Sequence, residues 1–529
     1  MIKSNLLLLG NEAVALAAID SGISGVYAYP GTPSTEATEF IQKYASESTH
    51  SRWCTNEKTA MEAALGVSYV GKRALVCMKH VGLNVCADAF INASMTGVNG
   101  GLVVLVADDP SMHSSQNEQD SRFYGKFSFA PIFEPSTQQE AYNMTRAAFE
   151  LSEEVGLPVL LRVVTRLAHS RAQIVPQPAQ KPADIHFPAN PGNWILLPVV
   201  ARRRNNEVIA QQPMIEQKAI DSPFNIYDCS VPSKRGIIAC GIAWNYLMEA
   251  IGGKICGPVL KVSQYPLPKA LIADMASKVD EILVIEDGQP FVEDQVKGVI
   301  PGKVVVKGRL SGDLPRTGEL TPDNVKAAIT GVAEPVLETS EYVVPRPPAL
   351  CQGCGHRDVY NSLKDIIAQY PNGKVFSDIG CYTLGALPPF KAINSTVDMG
   401  ASITMAKGAA DAGLFPSVAV IGDSTFTHSG MTGLLDAVNS NSSITVIISD
   451  NLTTAMTGGQ NSAGTNKFEQ ICLGIGVDPA HIKVVTPVPA NREQIDQILK
   501  EEIEYRGVSV IIPRRECMQT LARKKRKKL

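Results

Sequence analysis

The 529-residue sequence has no apolar run close to the roughly 20 residues that a membrane span needs. It has no large excess of charge of either sign, because its 49 Lys and Arg nearly balance its 52 Asp and Glu and the net charge is −3. Asn11, Glu12 and Asp20 interrupt the apolar start of the chain, so we interpret it as a first strand and helix and not as a signal peptide. These absences argue against a membrane protein and a nucleic-acid-binding protein, and we expect a cytoplasmic protein.

The sequence also lacks an even, regularly spaced set of cysteines. Its eleven cysteines are scattered along a long chain, which argues against a disulfide framework. Three of them, Cys351, Cys354 and Cys381, lie in glycine-rich turns, whereas most of the others have apolar neighbours. Residues 523–528, near the end of the sequence, are all basic, which predicts a solvated tail or, as the alternative, a docking tail for an acidic partner.

Strand-like and helix-like segments alternate along most of the chain. The strands are short apolar runs such as 101–107 and 418–421, and Gly, Thr, Asn and charged residues follow them. This alternation predicts an α/β fold with doubly wound or open sheets, and the length predicts roughly three domains. The predicted organisation is three domains at 1–171, 234–333 and 350–516, an irregular proline-rich connection at 172–233, a linker at 334–349 and a basic tail at 517–529.

The segment 418–460 carries the clearest chemical pattern. A strand at 418–421 ends at the residues GDS, and a second strand at 444–448 ends at DN. Open α/β sheets bind ligands at the carboxyl ends of their strands, and Mg²⁺ takes a few oxygen ligands from protein and the rest from phosphates and water. Asp423 and Asn451 are therefore candidate ligands of a metal that holds a diphosphate. The alternative is an ordinary strand–helix–strand unit with turn residues at its strand ends.

The chain resembles the alpha subunit of indolepyruvate ferredoxin oxidoreductase, in the 2-oxoacid:ferredoxin oxidoreductase superfamily, in eight segments that follow in matching order. The segments are YPGTPST (29–35), NEKTAMEAALG (56–66), MKHVGLNV (78–85), ADDPSMHSSQNEQDSR (107–122), CQGCGHRD (351–358), DIGCYTLG (378–385), GDSTFTHSG (422–430) and DNLTTAMTGGQ (450–460). The similarity covers almost the whole chain, and long strings such as HSSQNEQDSR are specific.

The resemblance implies three α/β domains of the type found in thiamine diphosphate (TPP) enzymes. It implies the oxidative decarboxylation of an arylpyruvate with CoA to an aryl-acetyl-CoA, with electrons passed singly to ferredoxin or a similar acceptor. The implied cofactors are TPP, Mg²⁺ and a [4Fe–4S] cluster, and the implied partner is a beta subunit in an (αβ)₂-type assembly.

The sequence departs from the family at one point. The family's alpha subunit ordinarily ends in a ferredoxin-like domain with two clusters, whereas this sequence has ARKKRKKL shortly after Cys517. We therefore expect either that a partner carries those clusters or that electrons leave by a shorter route.

The resemblance also assigns residues to the cofactor. Glu57 matches the glutamate that hydrogen-bonds the aminopyrimidine of TPP, and its alternative is a helix-start carboxylate favoured by the helix dipole. Glu62, one turn on, is a rival that we expect on another face of the helix. Asp423 and Asn451 match the Mg²⁺ ligands, with the carbonyl of Thr453 as a third. Four further residues are expected at the cofactor, namely Gly380, Gly400, Gly422 and Ser424.

Candidate substrate residues lie in the first predicted domain. Thr32 belongs to a loop that touches substrate in related enzymes, and its alternative is a turn residue at a helix entry. Arg122 is the candidate for binding a carboxylate through two parallel hydrogen bonds. His80 and His113 are candidates for acid–base or hydrogen-bonding roles, although a lone histidine is more often structural.

Cys351 and Cys354 form a C-x-x-C pair. Such a pair suits zinc when two more ligands complete a tetrahedron. The superfamily instead places a [4Fe–4S] cluster beside TPP, and its cysteine pattern is matched by this pair together with Cys381 and Cys517. The match favours a cluster over zinc.

Two other functions fit parts of the pattern. A non-oxidative TPP-dependent 2-oxo acid decarboxylase would need no cluster, so the four cysteines argue against it. A non-catalytic subunit with a TPP fold would not need Glu57, Asp423 or Asn451, and the sequence has all three.

Overall fold

The structure is a computed structural model that describes residues 5–188, 191–300, 302–333, 335 and 338–527. The chain divides into two compact units, Met1–Glu338 and Thr339–Leu529. Both contain parallel sheets whose buried Val, Ile and Leu runs are covered by helices, so the predicted α/β fold is confirmed. Of the helices in these ranges, none is long and apolar enough to cross a membrane.

The first unit alternates strands and helices from its start. Its strands are β1 (Leu6–Leu9), β2 (Gly25–Ala28), β3 (His50–Trp53), β4 (Ala74–Lys79), β5 (Leu102–Asp108), β6 (Ile132–Phe133), β7 (Val159–Val164), β8 (Arg171–Ile174), β9 (Ile226–Asp228), β10 (Arg235–Cys240), β11 (Val259–Val262), β12 (Gln264–Tyr265), β13 (Glu281–Ile285) and β14 (Val305–Lys307). Its helices are α1 (Gly10–Asp20), α2 (Thr35–Tyr44), α3 (Glu57–Tyr69), α4 (His80–Thr96), α5 (Arg122–Ser128), α6 (Gln138–Val155), α7 (Thr165–His169), α8 (Pro198–Ile220), α9 (Ala243–Ala250), α10 (Lys269–Ala276), α11 (Phe291–Val299) and α12 (Pro322–Thr330).

Two large sheets and one small one form the first unit. A seven-stranded sheet has the order β12-β6-β7-β5-β4-β2-β3, a five-stranded sheet has the order β14-β13-β10-β11-β9, and β1 pairs with β8. Strands β4, β5 and β7 are buried along their whole length. Because β2, β3, β4, β5 and β7 run parallel, their carboxyl ends meet at one edge of the seven-stranded sheet.

The connection at 172–233 was predicted to be irregular, and that prediction is wrong for its second half. The segment contains α8, a helix of 23 residues. Only Val208, Ile215 and Ala219 of this helix are buried, so its apolar stripe is too narrow to stand out in the sequence. The helix also contains Pro213, a residue that normally argues against a helix interior.

The second unit holds one sheet of six parallel strands in the order β16-β15-β17-β18-β20-β19. Its strands are β15 (Lys374–Ser377), β16 (Ser395–Thr396), β17 (Ser417–Gly422), β18 (Ile444–Ser449), β19 (Ile482–Val485) and β20 (Val508–Pro513). Its helices are α13 (Gly355–Ile367), α14 (Ala401–Asp411), α15 (Asp423–Thr425), α16 (Met431–Asn439), α17 (Phe468–Ile475), α18 (Arg492–Glu504) and α19 (Met518–Lys527).

The predicted linker and tail differ in their outcome. The linker residues that the structure describes, 335 and 338–349, contain no helix or strand, and the rest of 334–349 lies outside the described residues. The basic tail, predicted to be frayed and solvated, forms helix α19 as far as residue 527, while 528 and 529 lie outside the described residues.

Candidate active site

Asp423 lies directly after β17, at the carboxyl edge of the sheet of the second unit. Its side chain is buried and accepts hydrogen bonds from the backbone amides of Ser424 (2.6 Å) and Thr453 (3.1 Å). Burial, aided by the nearby carboxylate of Asp450, raises the pKa of the Asp423 carboxyl to about 8. A nearby cation stabilises the ionised form of a buried carboxylate, so the position of Asp423 fits a divalent metal.

Asn451 lies at the end of the neighbouring strand. The register pairs Gly422 of β17 with Ser449 of β18, which brings the two strand ends side by side. The Asn451 side-chain oxygen accepts a hydrogen bond (3.2 Å) from the amide of Thr453, the amide that also bonds Asp423. Mg²⁺ usually takes only one or two carboxylates from protein, and these oxygens fit a metal whose other ligands come from a diphosphate and water.

The glycines expected at the cofactor have a packing role in this structure. A Cβ atom on Gly380 or on Gly422 would clash with the buried ring of Tyr382. Gly400 directly precedes α14 and has a φ of +94°, a conformation that favours glycine. The Tyr382 hydroxyl donates to Asp378, and burial raises the pKa of the Asp378 carboxyl to about 7. The predicted contacts of the three glycines with a cofactor stay predictions.

Four cysteines line one cavity of about 200 Å³ in the second unit, together with Asn451. Cys351 and Cys354 precede α13, Cys381 follows β15, and Cys517 lies between β20 and α19. Burial, together with the nearness of the other three cysteines, raises the pKa of the Cys381 thiol to about 12. The fold thus gathers the four cysteines beside the end of β18.

The four cysteines of this cavity have the ligand chemistry that a zinc ion or an iron–sulfur cluster takes. All eleven cysteines are free thiols. Within the described ranges no group of three or more His, Cys, Asp or Glu is placed to hold a single metal ion. An iron–sulfur cluster is larger and takes four cysteine thiolates, so its ligands stand further apart around a cavity.

Glu57 is the first residue of α3 in the first unit and is almost fully buried. A side-chain cap from the preceding residue holds the start of this helix. The glutamate lies against the first turn of α4, because a Cβ atom added to Gly82 would be 2.5 Å from Glu57 Oε1. Glu62 is half exposed and pairs with Lys58, so it lies on another face, as expected.

Thr32 and His80 lie at the same edge of the seven-stranded sheet. Thr32 is half-buried in the loop after β2. His80 is buried at the start of α4, and its Nε2 is 3.2 Å from the hydroxyl of Ser115. Burial first, and then the charge of Lys79, lowers the pKa of His80 to about 4, so its imidazole is neutral at neutral pH. His113 is mostly exposed.

Arg122 does not lie in an open substrate site. Its guanidinium is fully buried, donates to Asp120, and forms ion pairs with Glu286 (3.0 Å) and Glu134 (3.7 Å). Arg162 is equally buried and pairs with the same Asp120 and Glu134. These carboxylates leave Arg122 no open face for a substrate carboxylate, so its place in the structure contradicts the prediction. The sequence could not show this, because Glu134 and Glu286 lie in distant segments.

Two buried charged residues were missed in the sequence. Asp378 follows β15, and Lys79 is the last residue of β4. Each is a single charged residue that directly follows a strand-like run, and that position is the signal that could have found them.

Two family models match the chain. "Pyruvate flavodoxin/ferredoxin oxidoreductase, thiamine diP-bdg" matches residues 16–194, which include Thr32, Glu57 and His80. "Thiamine pyrophosphate enzyme, C-terminal TPP binding domain" matches residues 378–512, which include Asp423 and Asn451. The chain therefore contains both kinds of TPP-binding domain, one in each unit.

Curated relatives extend over nearly the whole chain. The indolepyruvate oxidoreductase subunit IorA of Pyrococcus abyssi is 38% identical over 97% of this chain and 85% of its own length. The IorA subunit of Archaeoglobus fulgidus is 36% identical over 98% of this chain and 88% of its own length. A solved structure of 2-oxoglutarate:ferredoxin oxidoreductase from Magnetococcus marinus matches the fold with a TM-score of 0.52 at 16% identity, over 62% of this chain and 65% of that chain. The chain belongs to the IorA family of indolepyruvate oxidoreductase subunits and is a TPP-dependent 2-oxoacid oxidoreductase.

Proposed function

We propose that the chain catalyses the oxidative decarboxylation of an arylpyruvate, with CoA as the acyl acceptor. Cys351, Cys354, Cys381 and Cys517 would hold a [4Fe–4S] cluster, which would supply one-electron transfer to ferredoxin or a similar acceptor. The names of the IorA relatives support an indolepyruvate-like substrate. The observation that carries the proposal is the cavity that Asn451 shares with Cys351, Cys354, Cys381 and Cys517, because it brings candidate cluster ligands next to the candidate metal–diphosphate site.

The second unit supplies the residues that hold the diphosphate end of the cofactor. The side chains of Asp423 and Asn451 and the carbonyl of Thr453 would coordinate Mg²⁺, and Gly422 and Ser424 would lie against the diphosphate. Metal binding would keep the Asp423 carboxyl ionised, although burial and the nearby carboxylate of Asp450 raise its pKa. TPP, when bound, supplies the electron sink that decarboxylation needs.

The first unit supplies the residues that act on protons and substrate. Glu57 would hydrogen-bond the aminopyrimidine ring and hold a proton at that ring, and its burial keeps water from competing for the carboxylate. Thr32 and the neutral imidazole of His80 would contact the 2-oxo acid. Arg122 takes no part in substrate binding and instead holds together the buried ion pairs around it.

The proposed assembly contains a beta subunit and has (αβ)₂ composition. The relatives are named as subunits, which supports a partner chain. We propose that the assembly acts in the cytoplasm and that ferredoxin or a similar protein accepts its electrons.

Iron and acid-labile sulfide analysis of anaerobically purified protein, with and without the beta subunit, tests the proposal. We expect about four irons per chain, from one [4Fe–4S] cluster. Cys351→Ala and Cys381→Ala should each lose this iron, whereas Cys256→Ala, at an exposed cysteine of the first unit, should keep it.

The opposite result would overturn the proposal. If the anaerobically purified protein contained no iron, or contained stoichiometric zinc, the proposed reaction would be wrong and the non-oxidative decarboxylase would be favoured. If both Cys351→Ala and Cys381→Ala kept their iron, the four cysteines would not be the ligands of the cluster.

A further inference from the structure

We propose that Lys79 and the first turn of α4 bind the carboxylate of the 2-oxo acid substrate. The proposal rests on the proposed function and names the group that recognises the acid, a role that the buried Arg122 does not fill. Three observations carry it, namely the partners of the Lys79 ammonium, the state of the α4 N-terminus, and the place of both beside Thr32 and Glu57.

The Lys79 ammonium is buried with few partners. Only 8% of the residue is exposed, and Nζ donates to the backbone carbonyl of Ser114 at 2.6 Å. Within the described part of the chain this carbonyl is its only hydrogen-bond partner, and no carboxylate forms an ion pair with it. The carboxylate of nearby Asp109 is already satisfied by the amide of Ser114 and the hydroxyls of Ser115 and Thr165. An ammonium has three N–H donors, so two remain for a ligand.

The N-terminus of α4 is open to an anion as well. This helix has 17 residues, no side-chain cap and no acidic residue in its first turn. Its first amides and its dipole therefore favour a negative group. His80 adds a second observation: it is 1% exposed, and its Nδ1 makes no well-formed hydrogen bond within the described residues, although the Gln119 side chain interacts with the ring. Its Nε2 is already engaged by Ser115.

The neighbours of Lys79 place this anion site at the reacting end of the first unit. A Cβ atom added to Gly31, the residue before Thr32, would be 3.2 Å from Lys79 Cβ. Glu57 lies over Gly82, in the same first turn of α4. The loop that contains Ser114, whose backbone carbonyl accepts from the ammonium, is mostly exposed.

A carboxylate matches the two kinds of donor, the Lys79 ammonium and the first amides of α4. It is small, carries one negative charge, and has two oxygens that can accept from the ammonium and from the helix amides. Burial lowers the pKa of the Lys79 ammonium to about 8, and a bound anion would favour its charged form. The site therefore distinguishes a 2-oxo acid from a neutral carbonyl compound.

Isothermal titration with two unreactive ligands tests the proposal. The ligands are 3-phenylpropionate and its neutral isostere 3-phenylpropionamide, added to the assembled complex with TPP and Mg²⁺. We expect Lys79→Met to weaken binding of the acid by about 10- to 100-fold, the range for charge-assisted hydrogen bonds, and to change amide binding less than about twofold. Lys79→Arg should retain most of the acid affinity. Lys43→Met, at an exposed lysine of α2, is the matched control and should bind both ligands like wild type.

Each remaining outcome would overturn the proposal. Equal losses for acid and amide would show that Lys79 only supports the structure, and unchanged acid binding in a folded Lys79→Met complex would show that the carboxylate binds elsewhere. If the wild-type complex bound 3-phenylpropionate and 3-phenylpropionamide equally well, there would be no subsite that recognises a carboxylate. Failure of the proposed function is a separate result, because it would appear as a wild-type complex that binds these ligands but oxidises no 2-oxo acid.

Discussion

Replacing Gly82 with Ala tests the placement of Glu57 without altering the glutamate. A Cβ atom at position 82 would be 2.5 Å from Glu57 Oε1 and 2.6 Å from its Cγ. Ordinary contact lies at about 3.5 Å, so the side chain must move by roughly 1 Å. A misplacement of that size can lower turnover by about 100-fold. The cost of overpacking, about 1–3 kcal/mol, is partly offset by the better helix propensity of alanine, about 1 kcal/mol.

We therefore expect Gly82→Ala to fold with a small loss of stability and a large loss of kcat. The assay is acceptor reduction by the assembled complex at saturating TPP, 2-oxo acid and CoA, with thermal unfolding as the check on folding. Gly66→Ala is the matched control, because Gly66 lies in α3 and a Cβ atom there meets nothing within 4 Å. This control should keep full activity. If a folded Gly82→Ala enzyme kept full turnover, catalysis would not depend on the observed position of the Glu57 carboxylate.

Three further outcomes follow from the buried charges. Arg122→Met should lower the free energy of unfolding, measured by urea unfolding, by about 3–5 kcal/mol, because it leaves buried carboxylates unpaired. A raised KM for the 2-oxo acid with unchanged stability would contradict this structural role. The folded-state pKa of His80, lowered to about 4, lies below the ordinary 6.5, so its contribution to stability is present above pH 6.5 and is lost as the pH falls toward 4. Moving from pH 7 to pH 5 should therefore destabilise wild type by about 2 kcal/mol more than His80→Gln, with His113→Gln behaving like wild type; equal losses in all three would contradict the assignment. Asp423→Asn should raise the melting temperature of the cofactor-free chain, because it removes a buried carboxylate, and should weaken TPP binding with Mg²⁺ by about 10-fold or more in calorimetry; unchanged TPP affinity would argue against the metal site.

The fold was predictable because the buried strands are nearly uniform in composition. Runs such as VAVI at 418–421 bury both faces, and a parallel sheet covered by helices is the arrangement that accommodates them. Helix α8 could not be predicted in the same way. It buries only three residues and contains a proline, so neither periodicity nor propensity marks it as a helix.

The candidate site was predictable wherever its residues end adjacent strands. Asp423 and Asn451 meet because β17 and β18 are neighbours in register, which the strand–helix–strand pattern implies. Arg122 was assigned wrongly because its partners, such as Glu286, come from strands far along the chain. The fit of Tyr382 against Gly380 and Gly422 could not be predicted, because it depends on packing that a sequence does not display.

The position of the cysteine cavity has a consequence for the stability of the second unit. Cys351 and Cys354 lie near the start of the second unit and Cys517 lies just before α19, and Gln519 of this helix contacts the sulfur of Cys351. A group that joined those sulfurs would cross-link the two ends of the unit and reduce the freedom of the unfolded chain. Protease resistance of the basic C-terminal helix and iron content should then rise and fall together, so limited proteolysis would report the loading of the cavity.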